Sequence, residues 1–152
     1  MKLIAVLETN QIEVPRQDVR EALAASPDTY LAAQQQVMKP QLIFGVQYVL
    51  DHIPKDELVV RMGWAASGHR MLGAPILGLF VLTSNQLLFV RQDPSTKQPV
   101  LQEYPLSGIS KVSQSGWPLG LRKLHFTANG EEHTLERVHK DNASYIEQEL
   151  SK

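Results

Sequence analysis

The sequence predicts a mainly β (α+β) domain, built as a seven-stranded antiparallel barrel or orthogonal sandwich with a C-terminal capping helix and preceded by N-terminal helices. Three observations predict it. Between Leu58 and Val138, apolar runs of strand length are cut at regular intervals by turn residues. A polar-faced helical segment, Lys140 to Leu150, closes the chain. Ahead of Ile53-Pro54 the apolar spacing is helical, and after it the period becomes that of strands. The division falls there: residues 1–53 are a helical extension expected to pack on the barrel, and residues 54–152 are the barrel domain.

Composition bounds the functions. At 152 residues with 43% hydrophobic content, the chain suits one compact domain with an extension and a single core. A formal charge of −1, from 15 basic and 16 acidic residues, lacks the basic excess that neutralises a phosphate backbone, so nucleic acid is not expected as a partner. There is no cysteine, which removes disulfides, thiolate nucleophiles and cysteine zinc sites. The run Leu3-Ile4-Ala5-Val6-Leu7 stops at Glu8, short of the roughly 7–15 apolar residues of an export signal. Met71 to Leu82 is interrupted by Gly73, Pro75 and Gly78 and is shorter than the ~18 residues of a membrane span. The expectation is cytoplasmic residence, with peripheral membrane residence as the variant.

Taken in order, the first predicted helix follows Pro15 and sets Val19, Ala22 and Leu23 against Asp18, Arg20 and Glu21, stopping before Ser26-Pro27. A second starts there, with Ser26 as N-cap, Pro27 in the first position and Asp28 at the positive end. Tyr30, Leu31, Ala33, Gln34 and Val37 form its periodic face, and Lys39-Pro40 is expected to break it. A third, Gln41 to His52, places Leu42, Val46, Val49, Leu50 and Ile53 at helical spacing. The strands are Leu58 to Trp64, Ile76 to Thr83, Leu87 to Arg91, Val100 to Tyr104, Ile109 to Ser115, Leu119 to Thr127 and His133 to Val138. A long loop, Ala65 to Ala74, joins the first two, and Asn129-Gly130 supplies the positive φ angles of a tight hairpin. The second strand is apolar on both faces, so its outer face needs a cover. The N-terminal helices are the first choice, because a chain buries its own apolar helices first; a second copy is the competing one.

Two stretches resemble the bacterial pleckstrin-homology-like domains, and within them the YokE-like group. They are Gly78-Leu79-Phe80-Val81-Leu82-Thr83-Ser84-Asn85-Gln86-Leu87-Leu88-Phe89 and Tyr104-Pro105-Leu106-Ser107-Gly108-Ile109-Ser110-Lys111-Val112. The resemblance covers about residues 54–151. It implies two roughly orthogonal antiparallel sheets with a capping helix, no cofactor, and binding without catalysis: lipids in some branches, peptides, partner domains or self-association in others. Phosphoinositide-binding relatives carry several Lys and Arg around the first hairpin. Here that loop offers only His69-Arg70, with Arg61 before it, while Lys111, Arg122 and Lys123 lie on other strands.

The search for reactive groups returns little. If Leu124 and Leu135 both point inward, Phe126 faces His133 and His125 lies on the other face, so these histidines cannot share a metal. Ser67-Gly68-His69 lacks the elbow and orienting carboxylate of a hydrolase, and no glycine-rich phosphate loop precedes a helix. Neither a catalytic residue nor a metal or cofactor site is expected. The candidate binding residues are Arg61, His69, Arg70, Met71, Leu72, Trp117, Arg122 and Lys123. The leading reading is a non-catalytic module for a protein partner or a second copy, by an apolar groove or strand addition; the alternative is a peripheral membrane module that dips the 65–74 loop, with Met71-Leu72 at its tip, beside Arg70.

Overall fold

The computed structural model describes residues 2–27, 32–71 and 74–152, with the side chains of 32–37, 68–71, 74 and 75 left out. Three helices precede the sheet: α1 (Leu3–Thr9), α2 (Gln17–Ala25) and α3 (Ala32–His52). Seven strands follow, β1 (Val59–Met71), β2 (Ala74–Thr83), β3 (Gln86–Gln92), β4 (Pro99–Pro105), β5 (Ile109–Gly116), β6 (Leu121–Ala128) and β7 (Glu131–His139), then α4 (Lys140–Leu150). All pairings are antiparallel, in the order β4-β3-β2-β1-β7-β6-β5. β1 is the shared strand. It pairs with β2 from Val59 to Met71 and with β7 through Ala66 and Ser67.

Four local expectations change. The apolar run at the N-terminus forms α1, for which the sequence reading has no element; Leu3, Val6 and Leu7 are buried at the i, i+3, i+4 spacing of one helix face. The expected break at Lys39-Pro40 does not occur, and α3 runs through Pro40. Proline costs a helix one hydrogen bond, but here both flanks are anchored: Met38, Leu42, Val46 and Val49 are buried together, and the Gln41 amide both donates to the Gln92 carbonyl (2.9 Å) and accepts the Gln92 N–H (2.8 Å). Tertiary packing outweighs the local penalty. Tyr30 and Leu31 lie outside the described residues. Ser26 is the C-cap of α2 rather than an N-cap; its buried hydroxyl donates to the Met62 carbonyl and lies 3.3 Å from Asn142 Oδ1.

The fourth change concerns the expected loop from Ala65 to Ala74. Residues up to Met71 continue β1 and Ala74 already belongs to β2, so this stretch is a long hairpin. Small residues, Ala65, Ala66 and Ser67, read as loop in sequence, yet all three are buried where β1 passes between β2 and β7. The Asn129-Gly130 hairpin forms as its chemistry requires, with φ values of 53° and 86°.

Two cores result, not one. Along β2 and β3, Phe80, Leu82, Leu87 and Phe89 face the barrel interior, where they meet Leu124, Phe126, Leu135, Val138 and the α4 residues Ala143 and Ile146. The alternate positions Leu79, Val81, Leu88 and Val90 face outward and join Leu3, Leu7, Leu23, Leu42, Val46 and Val49 of the helices. Period-two alternation therefore produces two apolar faces, each with its own partner layer. Polar clamps fix the outer layer. Arg16 binds Asp18 (2.7 and 3.1 Å) and donates to the Ile53 carbonyl (2.6 Å) and the Glu57 carbonyl (3.1 Å), and Asp18 accepts the Val59 N–H (2.8 Å). Burial alone would raise the Asp18 pKa, but these bonds and the Arg16 charge leave it below the usual carboxylate value.

Candidate functional site

The turn between β5 and β6 collects the exposed apolar surface. Trp117 is 69% exposed, Leu119 74% and Leu121 39%; among the described residues the remaining large exposed hydrophobic side chain, Leu58, lies at the start of β1. The backbone holds this turn in place. Gly116 has a φ of 101°, a conformation only glycine adopts without strain, and the Gly120 N–H donates to the Trp117 carbonyl (3.3 Å). Arg122 braces the base, donating from Nη1 to the Gly116 carbonyl (2.7 Å) and from Nε to Gln114 Oε1 (3.1 Å). Gln114 in turn donates to Glu147 of α4.

Several cations lie near His139, beside the base of this turn. Leu121 pairs across the sheet with His139, the N-cap of α4. Lys2, Arg61 and Lys140 are close enough to His139 for their charges to act on it, and Lys2, Arg137 and Lys140 are exposed. Lys123, two residues beyond Leu121, stands 3.6 Å from Glu136 and keeps half of its side chain exposed. Arg61 is half-buried; its Nε donates to Asn142 Oδ1 (2.8 Å) and its guanidinium lies 4.6 Å from the centroid of the Tyr145 ring. Gly63 makes room for this node, since a Cβ there would collide with Asn142 Nδ2 and stand 2.9 Å from Phe80.

The residues singled out in the sequence thus separate into two groups. Trp117, Arg122 and Lys123 share one hairpin, and Arg61 approaches it through α4. His69, Arg70 and Met71 belong to the far end of β1, with Arg70 nine positions beyond Arg61 on a strand that advances about 3.3 Å per residue, and Leu72 lies outside the described residues. Arg61 and Arg70 therefore do not meet around one ligand. Lys111 sits on a β5 bulge, with a φ of 53° and a register shift between Ser110 and Ser113. Leu121, Arg137 and Lys140 are the residues the sequence does not single out, while Leu119 stands out only as the apolar neighbour of Trp117 in its loop. The signal was present as apolar residues at 117, 119 and 121 inside a Gly-Pro turn, which reads as strand start when β6 is begun at Leu119.

Reactive groups are sparse. Phe126 pairs with His133 and Leu124 with Leu135, which leaves His125 opposite Thr134 on the other face, as the register argument requires. The His133 ring packs 4.7 Å from Tyr104 and 5.6 Å from Phe126. His125 Nε2 lies 2.6 Å from Ser115 Oγ and its Nδ1 lies 3.1 Å from Thr134 Oγ1, a row in which a neutral hydroxyl stands where a triad has its orienting carboxylate. Among the described residues no group of three His, Asp or Glu is placed to hold a metal, and no helix is long and apolar enough to cross a membrane.

His139 makes this end of the barrel pH-sensitive. Its Nδ1 accepts the Asp141 N–H (3.1 Å), which caps α4 only while that nitrogen is unprotonated. Burial first, and then the charges of Lys140, Lys2 and Arg61, lower its pKa, against the opposing pull of Asp141 at 3.8 Å. A depressed pKa contributes stability that is present above the ordinary histidine value of about 6.5 and is lost as pH falls through the lower folded value. Thermal melts between neutral pH and pH 5 should show a loss in the wild type that is smaller in His139→Asn, whose amide oxygen caps at every pH. Parallel pH curves would remove His139 as the cause.

No protein-family model matches the chain, and no curated protein matches it. Solved structures do. The Slm1 pleckstrin-homology (PH) domain in complex with inositol-4-phosphate aligns over 60% of this chain and 92% of its own, at 18% identity and TM-score 0.44. A PH domain from Shewanella amazonensis aligns over 80% of this chain and 96% of its own, at 14% identity and TM-score 0.42. The crystal structure of human RhoA in complex with the DH/PH fragment of PDZRHOGEF aligns over 79% of this chain at 7% identity and TM-score 0.50, and this chain spans 34% of that one. Identities this low speak to fold alone. The seven antiparallel strands in this order, closed by α4 and preceded by helices, constitute a PH-like fold.

Proposed function

We propose that the chain is a non-catalytic binding module, of the YokE-like group it resembles, that docks through the β5–β6 tip with Trp117 as its anchor and Leu119 and Leu121 beside it. The exposure of Trp117 and Leu119 on a braced turn carries this reading. Anchors of this kind dominate contact energies because a rigid aromatic buries large area at little entropic cost. Strand addition is the weaker mode. Pro99 and Pro105 bracket the edge strand β4, and the other edge, β5, is bulged at Lys111; both features oppose pairing with an incoming strand. A protein partner or a second copy would therefore meet the tip end-on. In this reading residues 1–53 are a fixed cover of the 54–152 barrel, and the module works in the cytoplasm or at a membrane surface.

The test needs no knowledge of the partner. In extract of the native cell, the tagged wild-type chain should fractionate with larger or sedimenting material, and the Trp117→Ser, Leu119→Ser double variant should run as free chain with an unchanged melting temperature. Identical fractionation of the two would overturn the proposal.

A further inference from the structure

We infer that the tip docks into a second copy of this chain, with Trp117 of one copy entering the hollow beside the α1–α2 connection of the next. The inference rests on the reading of the tip as a docking surface and names its partner. The hollow has a volume of about 620 Å³ and is lined by Ile4, Ile12 and Val14 together with Glu8, Glu13 and Arg20. Pockets that take small organic ligands run roughly 300–1,000 Å³, which leaves room for an indole and its neighbouring leucine. The turn that shapes the hollow is fixed. At the end of α1 the Gln11 N–H donates to the Glu8 carbonyl and the Ile12 N–H to the Leu7 carbonyl, both at 3.0 Å, with Gln11 left-handed at a φ of 58°. This is the Schellman pattern of helix termination. Asn10 fastens it to α3, its amide donating to the Val6 carbonyl (2.7 Å) and accepting from Lys39 (3.1 Å). An entering anchor meets a hollow that is already formed, so little ordering cost opposes it.

Charge selects this hollow. Between Ile109 and Ala128 the hairpin carries Lys111, Arg122 and Lys123 and no Asp or Glu. Arg122, at the base of the turn, bonds to neutral partners, the Gly116 carbonyl and Gln114, and keeps its full charge; Lys123 shares its charge with Glu136. From Glu8 to Pro15 the opposite holds, with two acids and no Lys or Arg. Both acids are exposed, and among the described residues neither has an ion-pair partner. Arg20 is the cation that lines the hollow, against these two acids. A second hollow, of about 420 Å³ between α3 and the β3–β4 connection, is lined by Arg91 and Lys97 and would repel the same hairpin. The tip and the acidic hollow are different surfaces of one chain, so two copies exchange tips about a two-fold axis or successive copies add head to tail. A single such contact is small beside the roughly 800 Å² per partner of a stable protein interface, which makes the association weak and concentration-dependent.

Sedimentation velocity on the purified full chain should show a mass that rises with concentration and falls with added salt. Trp117→Ser removes the anchor. Glu8→Lys with Glu13→Lys reverses the charge of the hollow at exposed positions, the first of them in the last turn of α1, where a cation suits the helix. Each change should weaken self-association by about tenfold or more with the melting temperature unchanged. Mixing the two variants is the decisive arm, because one keeps only the hollow and the other only the tip. Of the two tryptophans, Trp64 is buried and Trp117 is exposed, so emission reports the tip. Adding the Trp117→Ser chain to the charge-reversed chain should move the emission of the latter to the blue, a shift that a tip-to-tip contact does not produce. A wild type that stays monomeric at every concentration, self-association indifferent to Glu8 and Glu13, or no shift on mixing would each overturn the inference. If the purified chain is monomeric while fractionation in extract still depends on Trp117 and Leu119, the second copy is wrong and the docking tip stands with a different partner. If neither measurement responds to the tip, both readings fall.

Discussion

A chain lacking residues 1–53 should be insoluble, or soluble only as large aggregates. The deletion uncovers Val59, Met62, Trp64, Leu79, Val81, Leu88 and Val90, which are buried beneath α1, α2 and α3. Burying one large apolar side chain is worth about 1.5–3 kcal/mol, so exposing this set costs about as much as the whole 5–15 kcal/mol stability of an ordinary domain. The polar fastenings go too: Arg16 and Asp18 no longer hold the start of β1, and the Met62 carbonyl loses the Ser26 hydroxyl. The exposed face would be contiguous and set on paired strands, a surface that associates. Sedimentation velocity on residues 54–152, with α4 content followed by circular dichroism, measures this directly. A soluble, monomeric, folded fragment would show that the helices are dispensable and that the outer face tolerates water.

How much of this was legible in the sequence differs by layer. The strand count, the Asn129-Gly130 hairpin and the opposed faces of His125 and His133 follow from local rules, because alternation and turn chemistry act within a few residues. The double-faced second strand pointed to a cover, but not to a second core as large as the first. That depends on α1 and α3, and each misleads locally: in α1 the buried face of Leu3, Val6 and Leu7 is hidden in a continuous apolar run, and α3 contains Pro40. In α3 the Gln41–Gln92 clamp and the buried row from Met38 to Val49 act through contacts distant in sequence, which propensity does not register. The hairpin through Ala65, Ala66 and Ser67 fails for the same reason, since small residues are chosen there by the close passage of β1 past β7. At the candidate site Trp117 was visible as a residue type. The charges near its hairpin were not, because Lys2, Arg61 and Lys140 come near His139, across the sheet from Leu121, only after the sheet closes on α4.

Replacing Gly45 with Leu should loosen the whole outer layer. Gly45 lies buried on α3 against Leu79 of β2: a Cβ there would collide with Leu79 Cδ1 and stand 3.3 Å from Leu79 Cγ. Glycine inside a helix ordinarily costs about 0.8–1 kcal/mol relative to alanine, so an Ala at this position gains propensity and loses space, and the two nearly offset. A Leu gains slightly less propensity than Ala and must displace a fully buried neighbour, for which overpacking costs about 1–3 kcal/mol or more. The melting temperature should fall by several degrees, at about 2–4 °C per kcal/mol for a chain of this size. Leu79→Ala alone should also destabilise, by about 2–5 kcal/mol, because it leaves a cavity between α3 and β2. Combined in one chain, the new Leu fills the space that Leu79 vacates, and the double variant should be more stable than the sum of the singles by at least ~1 kcal/mol. Strict additivity would mean that α3 does not bear on Leu79. The coupled result would establish that one methylene-scale contact sets how tightly the helices close over β2, and with it how firmly the outer core is held.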